Sequence, residues 1–189
     1  MKRIGILGNI GSGKSYVAKS FGCPVFDADK EVAKLYQKDR GTFYKLKKIL
    51  PKYFHSFPIK KEEISNAILA NKNNLNKIVK IVHTEVRKKM NLFLRKNKNK
   101  KIVILDIPLL LENKINKKKD ILVFVRSKKL EIAKRLKKRK NFNQKLLKKF
   151  KSIQYSTNYK KKKSDYVIKN NFKKKSINDG VRNILKEIT

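Results

Sequence analysis

An α/β fold around a five-stranded, doubly wound parallel sheet is predicted by three features of this chain. Residues 8–15 read Gly-Asn-Ile-Gly-Ser-Gly-Lys-Ser, a G-x-x-x-x-G-K-S loop that directly follows the apolar run at residues 4–7. Short segments rich in β-branched residues recur at 4–7, 24–26, 102–106, 121–125 and 166–168, the pattern of strands buried on both faces. Helical periodicity fills the intervals between them.

In chain order, the first strand runs into the loop, and residues 15–21 continue as a helix with Val17, Ala18 and Phe21 inward. The second strand ends in Asp27-Ala28-Asp29, and a helix is expected over 30–36. About seventy mostly helical residues, 30–101, then separate the second and third strands, far more than one crossover needs. Their clearest helix spans 75–93, with Leu75, Ile78, Val79, Val82, Val86, Met90 and Phe93 at helical spacing, and His83 and Arg87 four apart beside that stripe. Two basic helices at 130–140 and 146–154, joined near Asn141-Phe142-Asn143, lie between the fourth and fifth strands. The expected organisation is a core of residues 1–29, 102–126 and 164–189, a helical substrate-binding insertion at 30–101 and a helical lid at 127–163.

Composition narrows the function classes. The chain has 189 residues, 40% hydrophobic and 35% charged, enough for one folded domain with insertions. Its longest apolar stretch, 102–111, is broken by Asp106 and Pro108, so no membrane association is expected. The apolar segment after Lys2 and Arg3 is too short for a signal peptide, and Cys23 is the sole cysteine, which together predict a cytoplasmic location. Net charge is +38, carried by 44 Lys against eight Arg spread along the whole chain. A surface that reads nucleic acid concentrates charge and favours Arg, so this excess reads as a compositional bias with a solvated surface, and no specific nucleic-acid partner is expected. A monomer is expected.

The loop carries the chemistry. Its glycines Gly8, Gly11 and Gly13 let successive backbone N–H groups of Asn9, Ile10, Ser12 and their neighbours turn inward on phosphate oxygens, with the following helix adding its positive end. Lys14 would reach the β- and γ-phosphates of ATP, and the Ser15 hydroxyl would ligate Mg²⁺. A carboxylate of the Asp27-Ala28-Asp29 element lies at the carboxyl edge of the sheet. Asp29 there could accept a proton from an attacking hydroxyl, or could cap the next helix, and spacing does not separate the two roles.

The loop and the Asp27-Ala28-Asp29 element resemble the dephospho-CoA kinase family, and later segments agree in order over nearly the whole chain. Pro108-Leu109-Leu110-Leu111-Glu112 resembles the family's Pro-Leu-Leu-x-Glu segment, and Arg135 and Arg139 match its paired lid arginines. Gln154 followed by Ser164-Asp165-Tyr166-Val167-Ile168-Lys169-Asn170 resembles its Gln and Ala-Asp-x-Val-Ile-x-Asn ending, and His83 with Arg87 resembles its His-Pro-x-x-Arg helix.

The resemblance implies a P-loop kinase core that transfers the γ-phosphoryl group of ATP to the ribose 3′-hydroxyl of dephospho-CoA, the last step of coenzyme A synthesis. It implies catalytic roles for Asp29 as general base, Lys14, Arg135 and Arg139. It also implies nucleotide contacts from residues 8–16, Tyr16 included, and from Asn170, whose alternative is a simple turn. Substrate contacts are implied for Asp29, His83, Arg87, Pro108, Leu109, Leu110 and Glu112. Departures are local: Leu7, Asn9 and Tyr16 stand where the family commonly has Thr, Gly and Thr, Thr84 replaces a Pro, and Lys60-Lys61 replaces an Asp-Arg pair. The competing readings are another small P-loop kinase for nucleosides or nucleotides, and a nucleic-acid-binding ATPase suggested by charge and by Tyr155, Tyr159 and Tyr166 among lysines.

Overall fold

The computed structural model describes residues 1–139 and 142–188; Lys140 and Asn141, named above in a helix and its joint, lie outside the described residues. Five strands form one all-parallel sheet: β1 (Lys2–Gly8), β2 (Val25–Asp27), β3 (Ile102–Asp106), β4 (Ile121–Arg126) and β5 (Tyr166–Lys169). Their order is β2-β3-β1-β4-β5, with Ile4 opposite Ile104 on one side and Ile121 on the other. Because all strands run the same way, their carboxyl ends share one edge, and the loop after the central strand β1 emerges in its middle.

The chain forms two compact units. The first comprises Met1–Asp27, Asn97–Phe142 and Gln154–Thr189. Its sheet is covered on one face by α1 (Lys14–Ser20) and the C-terminal helix α9 (Lys174–Ile188). Ile177, Val181, Ile184 and Ile188 of α9 recur at helical spacing and meet Val17 and Ala18 of α1 and its C-cap Phe21 over Ile4, Ile6, Ile104, Val123 and Ile168. Gly180 lets α9 approach β5 closely, since a Cβ there would stand 3.3 Å from the Ile168 side chain. At the amino end of β1, Arg3 pairs with the buried Asp120 at 2.8 Å. That cation is enclosed, paired and far along its strand from the loop.

The second unit comprises Ala28–Lys96 and Asn143–Ile153. The long helix α5 (Lys72–Lys96) organises it, packing on α2 (Ala28–Lys38), α3 (Arg40–Ile49) and α4 (Lys61–Ala70), while α7 (Gln144–Ser152) packs on α4. Leu75, Ile78, Val82, Val86 and Met90 are buried, as the periodicity predicts, whereas Val79 and Phe93 at the margins of the stripe are half-buried.

Helix ends differ from expectation where side chains act as caps. Helix α7 begins at Gln144 because Asn143 Oδ1 accepts the Leu146 N–H at 3.0 Å. Helix α2 begins at Ala28, a strong helix former whose side chain is buried, so Asp29 lies inside its first turn and not at a cap position. Helix α6 (Lys129–Lys137) ends soon after its last buried residue, Leu136. Arg139 therefore stands in the turn beyond it and does not share a helix face with Arg135.

Candidate active site

The loop after β1 has the conformation its glycines allow. Gly13 adopts φ 90°, serves as N-cap of α1, and leaves Lys14 as the first helical residue. A Cβ on Gly13 would lie 2.4 Å from Asn170 Nδ2, so both backbone angle and space call for glycine. The first turn of α1 contains no acidic residue, and the helix dipole favours an anion there. Lys14 Nζ donates to the Asn9 carbonyl at 3.1 Å, which folds the ammonium back over the loop. Ser15 is exposed at the second position of α1, Tyr16 is 49% exposed beside it, and Ile10 is half-buried.

Two strand ends hold this loop in place. The Ser12 carbonyl accepts from Asn170 Nδ2 at 2.8 Å and from Ser127 Oγ at 2.9 Å. Asn170 is buried, and its Oδ1 accepts the Phe172 N–H at 2.7 Å, so both ends of its amide are engaged. In this structure Asn170 is a buttress of the phosphate loop and of the turn after β5. Phe172 holds φ 63°, and the Arg135 guanidinium lies 4.3 Å from its ring centroid.

Carboxylates gather at the same sheet edge. Asp27 and Asp106 are register partners at the ends of β2 and β3, and Asp106 is buried beside the central strand. Asp106 was not singled out in the sequence as a site residue, although an Asp that closes an otherwise apolar strand is a usable signal. Asp29 follows Asp27 by two residues, in the first turn of α2.

After β3 the chain makes a turn in which Pro108 and Leu109 are half-buried. Leu110 is fully buried, and a Cβ on Gly5 would fall 2.4 Å from its Cδ2, so Leu110 packs against β1. Glu112 also faces protein: its Oε1 accepts the Tyr155 N–H at 2.8 Å and lies 3.0 Å from Lys160 Nζ. Sequence reasoning missed Lys160, because one buried lysine inside the run 160–163 has no local signature.

In the second unit, His83 is half-buried and Arg87 exposed, one turn apart on α5. Near them Glu85 binds Lys45 at 2.6 Å and Lys88 at 3.2 Å, and these cations, with the Lys45 hydrogen bond foremost, hold its carboxyl below the ordinary glutamate range. Lys60 and Lys61 open α4, where Glu63 accepts the N–H groups of His55, Ser56 and Lys60. Burial alone would raise the Glu63 carboxyl, but those three donors outweigh it and draw its pKa down. Among the described residues no group of three His, Cys, Asp or Glu side chains could hold a metal ion. No described helix is long and apolar enough to cross a membrane.

Comparison with known proteins agrees with this geometry. The sequence profile of the dephospho-CoA kinase family matches residues 2–176. The dephospho-CoA kinase of Wolbachia pipientis wMel is 33% identical over 187 residues, covering 96% of this chain and 95% of that protein. Two solved structures share the fold over the entire chain. They are TT1252 from Thermus thermophilus, with TM-score 0.77, 24% identity and 98% of that chain covered, and the dephospho-CoA kinase from Campylobacter jejuni, with TM-score 0.62, 21% identity and 97% covered. A β1 strand feeding a G-x-x-x-x-G-K-S loop, a parallel kinase sheet and a profile match over most of the length converge: the chain belongs to the dephospho-CoA kinase family.

Proposed function

We propose that the phosphate loop binds ATP through Lys14 and the N-terminus of α1, and that Asp29 is the general base of the family's reaction. As a member of that family the chain is a dephospho-CoA kinase, catalysing the final step of coenzyme A synthesis with ATP as donor. The observation that carries the assignment of the donor site is the loop itself: a glycine N-cap at φ 90°, Lys14 at the first helical position, and no acid in the first turn.

The ribose 3′-oxygen attacks the γ-phosphorus while the bond from that phosphorus to the β–γ bridging oxygen breaks and ADP leaves. Asp29 accepts the hydroxyl proton as the new bond forms. Lys14 Nζ keeps one of its three donors on the Asn9 carbonyl and turns the others to phosphate oxygens. Arg135 and Arg139 stabilise charge on the transferring group, Arg135 leaving the Phe172 ring to do so. Acceptor contacts are assigned to His83 and Arg87, and separately to the segment from Pro108 to Glu112, in which Leu110 and Glu112 act through packing and pairing. Residues 30–101 hold the acceptor and 127–163 serve as the lid that excludes water, in a monomer free of specific nucleic acid.

The donor set suits a hard cation held chiefly by phosphates and water: one hydroxyl, Ser15, and a carboxylate at the end of β3, Asp106, with no cage of three acidic or imidazole ligands among the described residues. Mg²⁺ held there by Ser15 and Asp106 would neutralise charge on the leaving group.

The deciding experiment measures ADP release with dephospho-CoA against a panel of nucleosides and nucleotides. Turnover is expected only with dephospho-CoA, and its absence from a folded sample would refute the acceptor assignment.

A further inference from the structure

The short helix α8 (Thr157–Lys162) lacks an apolar anchor. Its only buried residue is Lys160, with 2% of the side chain exposed. A buried ammonium is costly unless a countercharge meets it, and Glu112 does so at 3.0 Å while also accepting the Tyr155 N–H. The ion pair is therefore what seats this helix on the protein.

The other end of α8 touches the phosphate loop. Asn9 Nδ2 donates to Thr157 Oγ1 at 3.0 Å, and the Thr157 hydroxyl donates back to Asn9 Oδ1 at 3.2 Å. The backbone carbonyl of the same Asn9 holds Lys14 Nζ. Glu112, Lys160, Thr157, Asn9 and Lys14 thus form a continuous line from the segment after β3 to the phosphate-binding lysine, all within the first unit. The side-chain clasp depends on the Asn side chain at position 9, which supplies both the donor and the acceptor.

We propose that Thr157 and Lys160 are positioning residues for the phosphate loop: the buried Glu112–Lys160 pair seats α8 so that Thr157 clasps Asn9 and preorganises the Lys14 grip on ATP. The proposal rests on the loop being the ATP site, and its readout is ATP affinity, which needs no acceptor.

Thr157→Val and Asn9→Gly are each expected to weaken ATP binding roughly threefold to tenfold, the range set by one hydrogen-bonded contact. Because they break the same clasp, the double variant is expected to bind no more weakly than the worse single one. The paired variant Lys160→Met with Glu112→Gln leaves no unpaired buried charge and keeps an oxygen for the Tyr155 N–H. It should show the same loss, with little added by Thr157→Val. Titration of ATP into each variant, with melting temperatures alongside, tests this. Additive losses, or wild-type ATP affinity in Thr157→Val, would overturn the proposal. Should the paired variant not fold, coupling between Asn9→Gly and Thr157→Val decides the matter. A wild-type protein that fails to bind ATP would overturn the loop assignment as well, whereas normal binding with uncoupled variants sinks only the positioning line.

Discussion

Gly13 concentrates three demands in one residue: it caps α1, holds φ 90°, and leaves room for the Asn170 amide that supports Ser12. A Gly13→Ala protein is expected to lose roughly 1–3 kcal/mol of stability from the left-handed backbone alone, with further loss from the clash. Thermal unfolding and ATP titration together check this, and wild-type values in both would contradict it. Asp29 makes a different prediction. Since it lies inside the first turn of α2, Asp29→Asn keeps shape and hydrogen-bonding capacity while losing the proton acceptor. Turnover should fall by roughly 10²–10⁴ with ATP affinity nearly unchanged, as steady-state kinetics would read. The loop residues were legible because their spacing is itself the chemistry. Asn170 was half-legible: its position after β5 was expected, but its two bonds, to Ser12 and to Phe172, depend on where a distant loop lands.

Among elements, α5 was the easiest to foresee, since its apolar stripe recurs over about five turns and buries the residues expected at its centre. Ile78→Ala, at a position 3% exposed, should destabilise the protein by about 2–5 kcal/mol, measurable by denaturant unfolding. The second unit also has an acid weakness. Glu63 and Glu85 both hold folded pKa values below the ordinary glutamate value of 4.5. Their contribution to stability is complete above that value and is lost as pH falls through the lower folded values. Melting temperature should therefore drop on acidification below about pH 4.5, and Glu85→Gln should flatten part of that dependence. Helix ends were less legible than helix existence. The stop of α6 before Arg139 reflects where burial ends, and the start of α7 reflects one Asn143 cap, neither of which periodicity reports.

At the scale of the whole molecule the dominant quantity is a net charge of +38. Lysines are spread over both units, so the field draws in anions generally and provides no bidentate reader of bases. Nucleic acid should bind at low ionic strength and dissociate as salt rises, while ATP hydrolysis shows no stimulation by nucleic acid at physiological salt. Stimulation under that condition would instead support a nucleic-acid-dependent ATPase.

Strand identity, the phosphate loop, the long helix and the kinase class all rest on residue type at short, regular spacing, and such patterns are written locally along the chain. Partnerships across the fold are of another kind. Asn9 and Thr157 are 148 residues apart, Ser12 and Asn170 are 158 apart, and Glu112 reaches Tyr155 across 43. No local pattern links such pairs. They meet because five parallel strands bring their carboxyl ends to one edge, and because α8, with no buried apolar residue, comes to rest where a buried carboxylate can receive Lys160.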